Sequence, residues 1–498
     1  MNKKVIIIGS GFAGLSAASF MAKAGWDVTV LEKHPIPGGR ARYIKEAGFT
    51  FDMGPSWYWM PDVFERYFNQ FEKKVSDYYQ LERLDPSYRV YYPNGPLDIP
   101  ADFSSLQSLF ESIEPGAGKQ LEKFLEEAAY KYEVGVKKLV FKPGQSFKEF
   151  IDLDLLKGLF KLDVFCSMKS HVAKFFAHPK LVELMEFPVL FLGALPKKTP
   201  ALYSLMNYAD IKGGTWYPKG GMYQIVHGMY SLAMELGVNF CFEKNVTRIV
   251  IEEKMAKKVV AQSKTGGEMI YEADVVIGGA DYHHIETALL PETYRSYSDD
   301  YWNTRVMAPG CLLYYVGLNK KLKDIRHHSL FFDSSIAVHG EEIYTTKEWP
   351  SDPLFYVSAT SVTDESLAPP GCENLFLLIP VASGLSNDTE ALRESYFEMI
   401  LQRMEKHFGQ SIKESIIYKK SFAQSDFVSE YNSFKGNAYG LANTLLQTAV
   451  LKPSCRSKKV KNLFYTGQLT VPGPGVPPSL ISGEVVAAEV IKAYGKNG

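Results

Sequence analysis

The stretch that most restricts this chain lies between residues 5 and 14. Four apolar residues, Val5-Ile6-Ile7-Ile8, run directly into Gly9-Ser10-Gly11-Phe12-Ala13-Gly14. An unbroken apolar run of this kind is the signature of a strand buried in a parallel sheet. The glycines have G-x-G-x-x-G spacing, and Ser16 to Ala24 is rich in small helix formers, so the turn opens a helix. A second strand, Val28-Thr29-Val30-Leu31, ends on Glu32, 18 residues after Gly14. Strand, glycine turn, helix, strand and acid in that order predict a dinucleotide-binding unit. Gly9 makes the tight turn, Gly11 lets a pyrophosphate approach the backbone, and Gly14 lets the helix sit close to the strand. Ser10, Phe12 and Ala13 complete the turn at a helix N-terminus, where free N–H groups attract anions. Glu32, with Lys33 beside it, would accept hydrogen bonds from ribose hydroxyls, and its charge disfavours a 2′-phosphate.

Gly38-Gly39-Arg40 follows soon after the acid and moves the reading from NAD to FAD. Gly39 gives a second flexible turn, and Arg40 offers a planar fork for phosphate oxygens. Asp52-Met53-Gly54-Pro55, after the short strand Phe49 to Phe51, reads either as an ordinary turn or as a further wall of the site through Gly54 and Pro55.

The rest of the composition mainly excludes. At 498 residues the chain is long enough for about three domain-sized units. A net charge of −1 gives no field that would favour nucleic acid. The five cysteines lie far apart with no C-x-x-C, which argues against a disulfide framework or a zinc site, and no metal is expected. Lys3-Lys4 before an apolar run resembles a leader peptide, but the glycines interrupt it and no cleavage is expected. No run of 18 apolar residues exists to span a bilayer.

The pattern predicts an α/β chain whose nucleotide domain is discontinuous. Residues 1–78 begin it, 79–215 form a mainly helical insertion, and 216–292 return to it. Residues 293–440 revisit the second domain, and 441–498 close the first. Helices are expected over Ser105 to Ile113, Gly118 to Val140, Met222 to Leu236, Thr389 to Phe408 and Ser479 to Tyr494. Strands are expected at Asn239 to Phe242, Val246 to Glu252, Lys258 to Gln262, Ala273 to Asp281 (ending in small residues), Gly310 to Gly317 and Asn374 to Pro380. The C-terminal block runs from Tyr465-Thr466-Gly467-Gln468 through a Gly/Pro turn to Pro477-Pro478, and supplies a second helix N-terminus.

With the N-terminal fingerprint, Gly38-Gly39-Arg40, Pro218-Lys219-Gly220-Gly221 and the block from Tyr465 to Gly475 in this order, the chain resembles the bacterial-type carotenoid (phytoene) desaturases. These belong to the wider FAD amine-oxidase and protoporphyrinogen-oxidase group. The resemblance implies non-covalent FAD in a discontinuous Rossmann-like domain, and an α+β substrate domain with a helical, membrane-associating portion. It implies that Val246 lies beside the adenine and that Gly467 and Gln468 approach the cofactor chain. Val476, Pro477, Ser479 and Leu480 would face the flavin ring. Gln468 departs from the wider group, which often has an acid there.

The implied reaction is phytoene desaturation toward lycopene, with a later 3,4-desaturation of a cyclised or hydroxylated carotene as the alternative. Oxygen or a quinone would be the terminal acceptor. Lys148 and Glu149 match roughly where the family carries a basic–acidic pair and are the candidate catalytic residues. A long-chain carotenoid has to be drawn from a membrane, so the chain is expected to be cytoplasmic and peripheral to the inner face of the cell membrane. The basic amphipathic stretch from 155 to 195, with Leu155, Leu159, Leu162, Phe165, Phe175, Phe176, Phe187, Leu190 and Phe191, is the expected contact. Two other classes share the fold group: an amine or porphyrinogen oxidase, and an escort protein for prenylated partners that lacks flavin.

Overall fold

The computed structural model describes residues 2–150, 162–190, 193–264 and 266–495. The first strand, Lys4–Ile8, is flanked by two parallel neighbours, Asp27–Leu31 and Val275–Gly278. Asn239–Cys241 and Leu463–Tyr465 extend this sheet at its two edges, so all five strands are parallel and both chain ends contribute. Every residue of Val275–Gly278 and Leu463–Tyr465 is buried, as a sheet covered on both faces requires. A three-stranded antiparallel sheet, Lys244–Glu252, Met255–Ser263 and Glu268–Glu272, lies beside it in sequence.

A second large sheet of seven strands is mixed. Its order is Ile416–Phe422, Gly310–Leu318, Glu373–Val381, Phe355–Ser358, His328–Phe331, Tyr88–Tyr92 and Gly95–Ile99. Sequence patterning predicted mostly helix from 80 to 215, and there the structure differs. Leu81–Arg83, Tyr88–Tyr92 and Gly95–Ile99 are strands, and the last two form a hairpin across Pro93-Asn94. The signal was present: Tyr-Arg-Val-Tyr-Tyr is rich in strand formers, and Asn94-Gly95 is a strong turn pair.

Helix limits shift for local reasons. The helix expected to run to Val140 is regular over Ala117–Val134 and passes into a wider turn at Gly135–Leu139. A Cβ on Gly135 would lie 3.0 Å from Leu205, so glycine there lets the neighbouring helix approach. The last helix begins three residues earlier than expected, at Val476, because Pro477 and Pro478 fit a first turn that needs no N–H donors. Thr389 caps Glu390–Phe408 by accepting from the Leu392 amide at 3.3 Å.

Of the expected membrane stretch, residues 151–161, 191 and 192 lie outside the described residues, and with them Leu155, Leu159 and Phe191. Phe176 and Phe187 face the core instead of an interface, being 3% and 1% exposed. Leu162 is also buried, whereas Phe165 is fully presented to solvent. Among the described residues, no helix is long and apolar enough to cross a membrane.

The helices Phe12–Lys23 and Val476–Tyr494 cross in close contact. A Cβ on Gly483 would lie 2.4 Å from the Ala13 carbonyl oxygen and 2.6 Å from the Ser16 Cβ. Gly483→Val is therefore expected to destabilise the fold by about 1–3 kcal/mol, the usual cost of overpacking. Denaturant midpoints of the two proteins, with their cofactor content, measure this.

Candidate functional site

Both of these helices start on the wall of one cavity of about 870 Å³. Neither N-terminus is closed by a side-chain cap, since Gly11 and Gly475 hold the N-cap positions. Free backbone donors and two positive dipole ends therefore face the same space. Gly14 makes the first turn possible by close approach, because a Cβ there would sit 2.0 Å from the Gly9 carbonyl oxygen.

The cavity wall includes Gly9, Ser10, Gly11, Phe12, Ala13, Glu32, Lys33, Gly39, Arg40, Gly54, Pro55, Val246, Gly467, Gln468, Val476, Pro477 and Ser479. These residues come from five separated stretches of sequence, 9–13, 32–40, 54–55, 246 and 467–479. Gly14 and Leu480 are not on the wall: the first packs the helix against the turn, and the second is fully buried.

Glu32 is buried, and Oε2 accepts hydrogen bonds from the Ser10 amide at 2.9 Å and the Ser10 hydroxyl at 2.6 Å. Its Oε1 accepts from the His34 amide at 2.9 Å. The carboxylate therefore stitches the glycine turn to the end of the second strand, and spare lone pairs remain for hydroxyl donors. Lys33 reaches the Ser429 carbonyl oxygen at 2.9 Å.

Arg40 donates from Nη2 to the Ser433 hydroxyl at 3.0 Å. Its Nε is buried without a protein acceptor, although the residue lies on the cavity wall. Burial works against its charge, and the Asp281 carboxylate supports it. An orphaned guanidinium N–H beside two open helix N-termini fits an anionic group such as a pyrophosphate. The Gln468 amide lies 2.8 Å from Asn437 and 3.2 Å from the Arg40 guanidinium, so a neutral side chain stands where an acid would have paired with Arg40. Gly467 donates its amide to the Ser482 hydroxyl at 3.0 Å, which ties the last strand to the last helix.

Lys148 and Glu149 are not brought to the cavity. Glu149 accepts the backbone amides of Gly144, Gln145 and Ser146 at 2.9, 2.9 and 3.0 Å, and so caps its own loop. Lys148 is exposed. A carboxylate held by three local amides and a solvated ammonium are both poorly placed for a reaction inside the cavity.

The remaining wall was missed by sequence reasoning. Trp57, Trp59 and Met60 follow the Asp52 turn; Leu202, Tyr203, Leu205 and Met206 come from the helical insertion; Cys311, Leu313, Tyr356 and Leu378 come from the seven-stranded sheet. Only alternation along those strands hinted at an inward face, and it does not distinguish a cavity from a core. Glu127, Asp163 and His171, none of them on the cavity wall, converge, but the buried Lys131 ammonium sits 2.9 Å from Asp163 and supplies a cation there.

Behind the Gly/Pro turn, Lys452 is buried with its ammonium nitrogen 3.0 Å from Asn443 Oδ1, and burial lowers it to about 7. Its folded value lies below its unfolded one, so the fold prefers the neutral amine. Wild-type stability therefore falls as pH drops from the ordinary lysine range toward 7, and the loss is complete below that. Lys452→Met should remove this slope and be more stable by about 1–3 kcal/mol at neutral pH, converging with wild type near pH 10.5. Denaturation curves at several pH values check it.

Comparison with known proteins agrees with this geometry. Residues 12–491 match the family model described as flavin containing amine oxidoreductase. The chain is 41% identical over 493 residues to a carotenoid 3,4-desaturase of Haloarcula japonica, covering 99% of this chain and 98% of that one. It is 30% identical to a zeta-carotene-forming phytoene desaturase of Myxococcus xanthus, covering 98% and 94%. Its fold is similar to that of cyclohexylamine oxidase from Brevibacterium oxydans, with a TM-score of 0.59 at 14% identity over 99% of both chains.

Proposed function

Because the chain belongs to the flavin containing amine oxidoreductase family, we propose that it is an FAD-dependent carotenoid desaturase. One observation carries this reading: a single cavity runs from the glycine turn, Glu32 and Arg40 to a wall of aromatic and aliphatic side chains. Bound FAD supplies a two-electron acceptor that takes hydride from carbon. The residues of this chain do the rest. The Gly9 to Gly14 turn and Arg40 would hold the pyrophosphate, Glu32 would hold a ribose, and Val246 would border the adenine. The open N-terminus of Val476–Tyr494 would present its positive end to the bound isoalloxazine, where reduction would add negative charge.

A polyene offers no polar handle, so alignment rests on shape. Trp57, Met60, Leu205, Leu313, Tyr356 and Leu378 form a wall that excludes water and holds the reacting C–H in one orientation. As hydride leaves, positive charge spreads over the conjugated double bonds and makes the neighbouring C–H acidic, so a carboxylate of ordinary basicity is a sufficient proton acceptor.

Phytoene is the first substrate in this reading. A second reading, 3,4-desaturation of a cyclised or hydroxylated carotene, is favoured by the 41% identity to a relative of that name. FAD-loaded protein, mixed anaerobically with each carotenoid in liposomes, separates them. The expected result is reduction of the bound flavin, read by its spectrum after the carotenoids are extracted, together with a more conjugated product from one substrate. Reduction only by a soluble amine or porphyrinogen would overturn the desaturase reading.

We also propose that the protein meets a lipid surface near the wall residues Leu162, Val164 and Thr448 to Leu451. Phe165 and Leu446, adjacent in sequence to these, are 91% and 78% exposed, and Lys142 lies on the same wall. Large apolar side chains beside a cation suit an anionic interface. Leu446→Asp is expected to reduce flotation with anionic liposomes severalfold without changing the melting temperature; unchanged flotation would remove this surface from the contact.

A further inference from the structure

Desaturation leaves a proton to be disposed of, and the expected pair Lys148 and Glu149 does not line the cavity. A second, much smaller pocket lies behind the Asp52 turn. Its volume is about 10 Å³, and its walls include Asp52, Ser56, Ser358, Thr360 and Asn374. That is near the least room one water molecule occupies, and the polar lining offers more than the two partners such a water needs. Ser358 is buried, and its hydroxyl stands beside the Tyr356 phenol at the edge of this pocket.

The small pocket adjoins the large cavity. Ser56 lines both. Tyr356, on the large cavity's wall, has the Ser56 and Ser358 hydroxyls beside its phenol and lies 2.6 Å from His328 Nδ1. On the far side, Asp52 accepts the Met222 amide at 2.9 Å and the Tyr223 amide at 3.1 Å, at the start of the helix Tyr223–Glu235. Two amide donors leave carboxylate lone pairs for a water. Burial raises Asp52 to about 6 against the pull of those amides, so it is a competent acceptor near neutrality. The titratable groups that face it are the phenols of Tyr217 and Tyr356.

We infer that this pocket seats one water molecule, and that Ser56, the water and Asp52 carry away the proton that desaturation releases. The inference rests on the desaturase reading. In the balanced step, one C–H bond gives its hydride to FAD. The neighbouring C–H bond breaks in the same step, so the rate of hydride transfer depends on the proton acceptor, and its electron pair forms the new C=C bond. The proton passes through the Ser56 hydroxyl and the water to the Asp52 carboxylate, and deprotonation of Asp52 to solvent resets the path.

The test follows anaerobic flavin bleaching by carotenoid in liposomes from pH 5 to 8, in wild type, Asp52→Asn and Ser358→Val. Wild type should slow as pH falls through about 6, where Asp52 becomes protonated. Asp52→Asn, holding its FAD, should bleach roughly tenfold more slowly or worse and lose that pH limb. Infrared titration of the protein without substrate should show a carboxyl band with the same midpoint, absent in the variant. If Asp52→Asn fails to fold, Ser358→Val decides, because it fills the pocket without touching the helix cap. Slower bleaching with a flattened pH limb supports the path. Wild-type rates and limb in either folded variant overturn it, as does an infrared midpoint near 4. Wild type that never bleaches with carotenoid refutes the desaturase reading instead.

Discussion

Two helices that begin at one cavity hold the site together. Phe12–Lys23 and Val476–Tyr494 are separated by most of the chain, yet Gly483 lets their backbones touch at Ala13 and Ser16. The parallel sheet beneath them imposes the same union, because Leu463–Tyr465 pairs with Val275–Gly278, which pairs with Lys4–Ile8. Both N-termini lack side-chain caps, an arrangement that costs stability unless a ligand satisfies the open amides. The closeness of the two helices and the affinity for an anionic cofactor are one constraint.

The seven-stranded sheet adds the dry side of the cavity. Tyr315 donates to the Met53 carbonyl oxygen at 2.7 Å, and Phe51 packs on Tyr315 and Tyr418, so this sheet is fastened to the turn that carries Gly54 and Pro55. Two buried ionisable groups, Asp52 in that turn and Lys452 beside Asn443, are shifted by their surroundings. Asp52 is pushed up and Lys452 is pulled down, both by burial, so each is closer to neutral than its type would be in water. Such groups are expensive in a core and are found where a site needs a proton acceptor or a tunable charge.

The parts legible in the sequence were those with local causes. The strand–turn–helix of residues 4–23 follows from Val5 to Ile8 and three glycines, and the helix Glu390–Phe408 follows from its apolar period and a Thr cap. Arg40 was legible through its neighbours Gly38 and Gly39. Lys148 and Glu149 show the limit of local pattern, because an acid next to a base looks the same in sequence whether it faces a substrate or, as Glu149 does, caps a loop. The hairpin at Tyr88 to Ile99 was hidden by the helical patterns that follow it, although its Asn-Gly pair was plain.

Sequence alone established the cofactor class, since glycine spacing, a ribose acid and an arginine act through backbone and charge effects that operate within a few residues. It also placed the second helix start at the far end of the chain. Only tertiary structure decided which distant segments share one cavity, which phenylalanines turn inward, and that Ser56 stands between a large apolar space and a small polar one. The reason is physical: an apolar side chain gains the same free energy from any water-free neighbour, so burial leaves no mark in sequence that identifies its partner.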